Sequence, residues 1–484
     1  MTSGETCATL RRAAIVLSWA LVAAGCQTSY VERLARLDAE ADCIMPEPAR
    51  DLLVGVAISG GGSRAALFGA AGLESLARVR AGPQGRSLLE QVTHISSVSG
   101  GSLAAVYYAL QKPPREVSVL TPQGDLTAEY RRFFGNFKNA MSEDYEAPTF
   151  WRQITRLRLL NPTKAATSVS EVLDDRIGHG ATLSTLMLRE SSGDSPRIII
   201  NTTLYNNGRR FVITTMPRAD FRYDLIHELE RTLDARGRAA GRLTESLPSL
   251  VRAQEVLLPL TFEDINARRC DVPLSKAIAA SASFPMYVGP VTAQVDGEAI
   301  YWHAGDGGLF DNQGTESLVQ LFMRKLQQGQ ARRALIIALD SSFPFWVTNE
   351  RLDLTDQGFR IFDDDVSRIP GIMEQRANAY QAMVWHILQS EGIVLPDADT
   401  IKVIVLRHTD AAWDEDLGDL PAICRDDDAP PDSAGAIVQR LARILTRFHL
   451  RSECERALLS AAAAKAVTQQ QGRIVEFLDA SHPR

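Results

Sequence analysis

The chain has few of the features that mark a nucleic-acid partner, a zinc site or a histidine-based hydrolase. Its 52 lysines and arginines are outnumbered by 59 acids, for a formal net charge of −7, and no Lys/Arg-rich run appears. That leaves no overall basic field for DNA or RNA, so no nucleic-acid partner is expected. None of the six cysteines stands in C-x-x-C spacing, so no zinc signature is present. Only eight histidines occur in 484 residues. His303 alone lies in a small-residue setting after a strand-like run; His386, His408 and His449 read as packing residues, and His179, His227 and His482 fall in polar stretches. There is no internal repeat and no low-complexity tract. What is present is ordinary for a folded globular protein: 45% hydrophobic and 23% charged residues. The length allows one large domain with insertions, or two to three domains.

The N-terminus has the order of a targeting segment. Arg11 and Arg12 precede an apolar run over 13–24, too short to span a bilayer comfortably, and Ala23-Ala24-Gly25-Cys26 follows. Small residues before a cysteine resemble the lipobox of bacterial lipoproteins. That resemblance implies removal of residues 1–25, acylation of Cys26 and, since Gln27 follows rather than Asp, an outer-membrane lipoprotein facing the periplasm. A plain secretory signal and a buried N-terminal helix are the other readings. Cleavage removes one net positive charge and takes the chain from −7 to about −8, so acyl chains rather than anionic-lipid attraction would hold it. Cys43, Cys270, Cys424 and Cys454 then remain, an even number in a compartment that permits disulfides. Three pairings are possible, and Cys424 with Cys454, flanking one predicted helix, is the easiest.

Residues 27–50 read as a polar, helix-prone tether. The continuous apolar run 52–58 predicts a strand buried on both faces, followed by a helix over 63–80. A second strand over 92–98 and a helix over 100–111 repeat the unit, which predicts parallel pairing through right-handed crossovers. The segment 112–190 reads as a helical insertion. Within it the basic amphipathic stretch 151–164 is either packed on the core or turned toward a membrane. Paired strands are expected over 197–203 and 210–215 around the turn Tyr205-Asn206-Asn207-Gly208. Helices are expected over 224–252, 274–282, 315–328 and 374–388, strands over 300–304, 334–339 and 401–406, and two helices over 434–478. The expected organisation is a catalytic domain over 51–345 and a C-terminal part, 346–484, packed on it.

Three glycine-rich segments carry the chemistry. In Ile58-Ser59-Gly60-Gly61-Gly62-Ser63-Arg64, three glycines between a buried strand and a helix let backbone N–H groups converge at a helix N-terminus, suited to a phosphate or an oxyanion. The loop loosely matches a dinucleotide fingerprint, but the acidic residue expected about 20 residues on is missing: the second strand runs into Ser99 instead. Ser97-Val98-Ser99-Gly100-Gly101 is a variant of G-x-S-x-G, a tight strand-to-helix turn that exposes a nucleophile between small residues. His94 shares its strand and cannot easily reach Ser99. Asp306, between Gly305 and Gly307-Gly308, can take the serine's proton directly where burial raises its pKa. Taken singly, each segment also reads as a plain glycine turn.

In this combination the chain resembles the patatin-like phospholipase family over 52–318. The resemblance rests on G-G-G-S-R from Gly60, S-V-S-G-G from Ser97, D-G-G from Asp306, and the small-residue segment Ala279-Ala280-Ser281-Ala282-Ser283-Phe284-Pro285. It implies a three-layer α/β/α fold with a mainly parallel sheet, and a phospholipase or lysophospholipase-like acyl hydrolase using a Ser–Asp dyad without cofactor or metal. Ser99 would be the nucleophile, Asp306 the base, and Gly60, Gly61 and Gly62 the oxyanion hole, with Ser97, Gly101, Gly307 and Gly308 completing the motifs. Arg64 would meet a lipid phosphate, or else be an exposed arginine at a helix start. Ser97 departs from the family's usual glycine. The expected partner is membrane phospholipid or another acyl lipid; a lipid transacylase and a non-catalytic lipid-binding lipoprotein are the alternatives.

Overall fold

A computed structural model describes residues 30–38, 42–82, 85–158, 164–224, 226–227, 251–285, 288–342, 377, 379 and 400–480. The segment with Cys26 lies outside the described residues, as do most of the helices expected at 224–252 and 374–388. One sheet contains β1 (Glu32–Leu34), β2 (Leu52–Ile58), β3 (His94–Val98), β4 (Arg197–Leu204), β5 (Arg209–Ile213), β6 (Val291–Val295), β7 (Tyr301–Asp306), β8 (Arg333–Asp340) and β9 (Ile401–Arg407). Hydrogen-bonded neighbours follow the path β1-β6-β7-β4-β3-β2-β8-β9, and β5 also pairs with β4. The longer helices are α1 (Gly62–Ala77), α2 (Gly100–Gln111), α3 (Ala128–Met141), α4 (Glu146–Thr155), α5 (Ala165–Leu173), α6 (Leu183–Ser192), α7 (Leu274–Ser281), α8 (Thr315–Gln327), α9 (Ala434–Ala442) and α10 (Glu453–Asp479).

Among the central strands β2 is apolar along its whole length and β8 from Ala334 to Leu339, because helices cover both faces. Successive residues of β4 show it: Ile198 and Ile200 belong to the large core shared with α1, α2, α3, α7 and α10, while Ile199 packs with Leu318, Leu321 and Phe322 of α8 on the other side. Each fully buried side chain of this kind contributes roughly 1.5–3 kcal/mol. The result is an α/β/α sandwich whose centre, β4-β3-β2-β8-β9, is parallel, while β5 and β7 run antiparallel to β4.

Two expectations need correction. Residues 32–34, read as part of a helix-prone tether, form a strand, because β6 offers an open edge with which they pair in parallel. The helix expected to reach residue 80 ends at Ala77, since Arg80 and Ala81 turn into a short antiparallel pair with Arg86 and Ser87.

The register of β4 brings distant segments together. Its first half pairs with β3, ending at Val98 opposite Asn201. From Thr202 the partner becomes β7, with Asp306 opposite Thr202 and Ala304 opposite Leu204. Because β5 pairs with Ile200 to Leu204 as well, it must occupy one edge of β4 while β3 and β7 share the other. The C-terminal ends of β3 and β7 therefore meet head-on, and Ser99 and Asp306 follow from adjacent positions on β4.

Candidate active site

Ser99 caps α2 with φ 50 and ψ −122, a strained conformation for a residue with a side chain. The turn is held from several directions. The Ser99 amide donates to Ser281 Oγ at 2.9 Å, and Ser281 Oγ donates to the Asn201 carbonyl at 2.6 Å. The Ser102 hydroxyl meets Ser281 Oγ at 3.0 Å and Ser97 Oγ at 3.2 Å, and Ser97 Oγ donates to the Ile199 carbonyl at 3.2 Å. Ser97 is thus a hydrogen-bonding member of the turn as well as a small one. Gly100 and Gly101 are required by close approach: a Cβ on Gly100 would stand 2.0 Å from the Gly62 carbonyl oxygen, and one on Gly101 2.4 Å from that of Ile58.

Asp306 is 4% exposed. Its Oδ1 accepts the Gly308 amide at 2.7 Å. Burial pushes its pKa up to about 7, against the Gly308 amide and the nearby Ser99 side chain, which lower it. Its own amide donates to the Ser283 carbonyl at 3.1 Å, which ties the end of β7 to the chain leaving α7. Gly307 opens the 3-10 turn that follows, and its Cα faces the Asn201 carbonyl.

The glycine loop lies beside the serine, as expected, but its amides are not equivalent. The Gly60 N–H donates to the Asn312 carbonyl at 2.8 Å, so it is not free for an oxyanion. Gly61 and Gly62 adopt positive φ, 138 and 61, and among the described residues their N–H groups have no acceptor. The expectation of three donors reduces to these two.

Arg64 requires a fuller correction, since it is neither a phosphate contact nor exposed. It is 1% exposed; its guanidinium donates to the Ser341 carbonyl at 2.9 Å, to Thr446 Oγ1 at 3.2 Å and to the Ile444 carbonyl. Burial lowers its pKa to about 10. It clamps the loop after β8 and the segment before α10 onto α1, and no lipid headgroup reaches it.

Three of the described histidines have partners other than Ser99 and Asp306. His94 meets Glu47 across 3.0 Å at the opposite end of β3. His303 contacts Thr292 Oγ1 at 2.9 Å and, three residues from Asp306 along a strand, points to the other face. His408 is buried beside Phe68, and burial together with the Arg64 charge lowers its pKa to about 3. His386 and His482 lie outside the described residues.

Asn312 was not identified from the sequence. Besides accepting the Gly60 amide, it places its side-chain oxygen where a Cβ of Gly60 (2.0 Å) or of Gly308 (2.6 Å) would be, and its Nδ2 donates to Ser342 Oγ at 3.0 Å. It is a wedge between the two glycine segments. An asparagine four residues past a D-G-G turn carries no signal of this in linear form. Ser281 reads in the sequence only as a small residue.

The arrangement is a buried acid of raised pKa beside a serine at a strained turn, with free main-chain donors next to it. The human GIVD cytosolic phospholipase A2 structure is 12% identical over 88% of this chain and 60% of that one, with a TM-score of 0.44. VipD from Legionella pneumophila is 12% identical, covering 87% and 70%, with a TM-score of 0.27. This chain therefore spans about 60% of the human protein's length. No curated protein matches it in sequence. The sequence model of the patatin-like phospholipase family matches residues 56–319, more than half of the chain, a span that contains Ser99 and Asp306. The chain belongs to the patatin-like phospholipase family.

Proposed function

We propose that the protein is a lipid acyl hydrolase working through Ser99 and Asp306. The observation that supports this reading is the placement of Ser99, at a strained turn on the C-terminal end of β3, beside the buried Asp306 carboxylate at the C-terminal end of β7, where burial raises the acid's pKa to about 7 and the Ser99 side chain lowers it. An acid with that pKa is about half ionised at neutral pH and is basic enough to take a hydroxyl proton. Asp306 accepts the proton as Ser99 Oγ forms its bond to the ester carbonyl carbon. The Gly61 and Gly62 amides hold the developing oxyanion, each donor supplying on the order of 3 kcal/mol. The proton then passes to the departing alcohol as the ester C–O bond breaks, leaving an acyl-serine. Water, deprotonated by Asp306, attacks that ester and restores the serine.

The substrate class follows from the family, and membrane phospholipid is the expected substrate. We further propose that the chain is an envelope lipoprotein acylated at Cys26. Supporting this is the pairing of the four remaining cysteines as Cys43–Cys270 and Cys424–Cys454, bonds that persist in an oxidising compartment.

The test is labelling with a fluorophosphonate ester followed by mass spectrometry of the mature protein. The expected adduct is on Ser99, and Ser99→Ala should lose both labelling and roughly 10³-fold or more of its ester hydrolysis. Labelling elsewhere, or a Ser99→Ala protein as active as the parent, refutes the assignment. The same spectrum reports whether the mature chain begins at an acylated Cys26.

A further inference from the structure

Helix α4 differs from its neighbours: none of its ten residues is buried. Phe150 and Trp151 are 51% and 62% exposed, and Leu157, just past the helix end, is 92% exposed. Alongside, Arg152, Arg156 and Arg158 share Glu171, and Arg152 also meets Asp175, so three cations face two acids. Apolar side chains beside a cationic flank, on a helix that the core does not claim, fit the boundary between water and lipid.

The helix is fastened to the dyad's surroundings. The Tyr145 amide donates to the Phe448 carbonyl at 3.0 Å, and Glu146 Oε1 accepts the Phe448 amide at 3.0 Å. The preceding Arg447 carbonyl accepts the Ser63 amide at 2.6 Å, directly after Gly61 and Gly62. Thus α4 rises on the glycine-loop side of the site. On the Asp306 side stand two more exposed apolar residues, Tyr205, whose ring packs against Gly305, and Leu309. Ser99 and Asp306 are thus linked to the first patch through the glycine loop and to the second through the end of β7.

We propose that this face, led by Phe150 and Trp151, seats on a lipid bilayer surface and presents the dyad to it. The proposal rests on the reading of the chain as a lipid acyl hydrolase anchored at Cys26. The anchor names the occupant. Four residues carry the chain from Cys26 to Tyr30, about 14 Å when fully extended. A folded chain of this length is roughly 60 Å across. The body therefore cannot leave the lipid, and an exposed aromatic pair beside the site is where contact removes apolar surface from water.

The test uses the chain from Gln27 onward, which keeps every described residue and lacks the anchor. In a Ser99→Ala background, Phe150→Ser/Trp151→Ser should co-sediment with mixed phosphatidylcholine and phosphatidylglycerol vesicles about tenfold less than its parent. With Ser99 restored, hydrolysis of vesicle phospholipid should fall by a similar factor while turnover of a soluble short-chain ester holds within about twofold, which also reports that the variant is folded. Leu157→Ser should weaken sedimentation in the same direction. Unchanged sedimentation overturns the proposal, as does loss of self-association in the variant with vesicle binding intact, the outcome for a protein-docking face. A parent inert toward both substrates defeats the hydrolase reading and leaves the sedimentation result to stand by itself.

Discussion

At Ser99 the backbone is held at φ 50, a conformation that costs a residue with a side chain about 1–3 kcal/mol. Glycine relieves that strain but loses about 0.4–1 kcal/mol through its freer unfolded state. The strain term is larger, so Ser99→Gly should be inactive yet about 1 kcal/mol more stable than Ser99→Ala, as read by thermal unfolding; equal stability would mean the turn stores no strain. At Asp306 burial dominates and raises the folded pKa from 3.8 to about 7. Between those values the folded state binds more protons than the unfolded one, so this group's contribution to stability is full below about pH 4 and is lost as pH rises toward 7. Catalysis follows the opposite slope, because the base must be ionised. For a soluble ester, kcat/KM should fall about tenfold per pH unit below 7, and Asp306→Asn should abolish activity while raising the melting temperature at pH 8. A pH profile flat from 5 to 8 would exclude Asp306 as the base.

Between elements, the decisive contacts join the turn after β2, the turn after β3 and the turn after β7. Backbone meets backbone where Gly100 faces Gly62, and Asn312 fills the gap between Gly60 and Gly308. Asn312→Ala keeps the main-chain bond to the Gly60 amide but removes the wedge, which frees the glycine loop to move relative to Asp306. The expected effect is a fall in kcat of about tenfold with KM nearly unchanged, since positioning is lost rather than ground-state binding. A variant with normal kcat would show that the loops hold their spacing without it.

Over the whole molecule, two disulfides join segments that the sheet alone does not. Cys43–Cys270 spans 227 residues and stands beside the buried Asp42–Arg269 pair, whereas Cys424–Cys454 spans 30 and ties the start of α10 to the loop before α9. On chain entropy the longer loop contributes about 5 kcal/mol and the shorter about 3.5. Urea unfolding should therefore find Cys43→Ser/Cys270→Ser less stable than Cys424→Ser/Cys454→Ser; the reverse order would mean that native-state interactions outweigh loop closure.

Much of this was legible in the linear chain. A strand buried on both faces, such as β2, has no polar positions, so its apolar run identifies it; small residues at Ser97, Gly100 and Gly101 identify a turn too tight for anything larger. Asp306 could be chosen over His303 from its glycine flanks. Other features had no linear trace. Arg64 at the start of a helix looks exposed until the carbonyls of Ser341 and Ile444 close around it from segments nearly 300 and 400 residues away. The Gly60 amide looks like an oxyanion donor until Asn312 takes it. Residues 32–34 have little strand character of their own and pair only because β6 leaves an edge open. The sequence by itself determined the reactive groups and the local turns, because these depend on residue size and short-range backbone geometry. Only the tertiary structure decided which donors stay free and which charges are buried, because those depend on partners supplied by remote strands and loops.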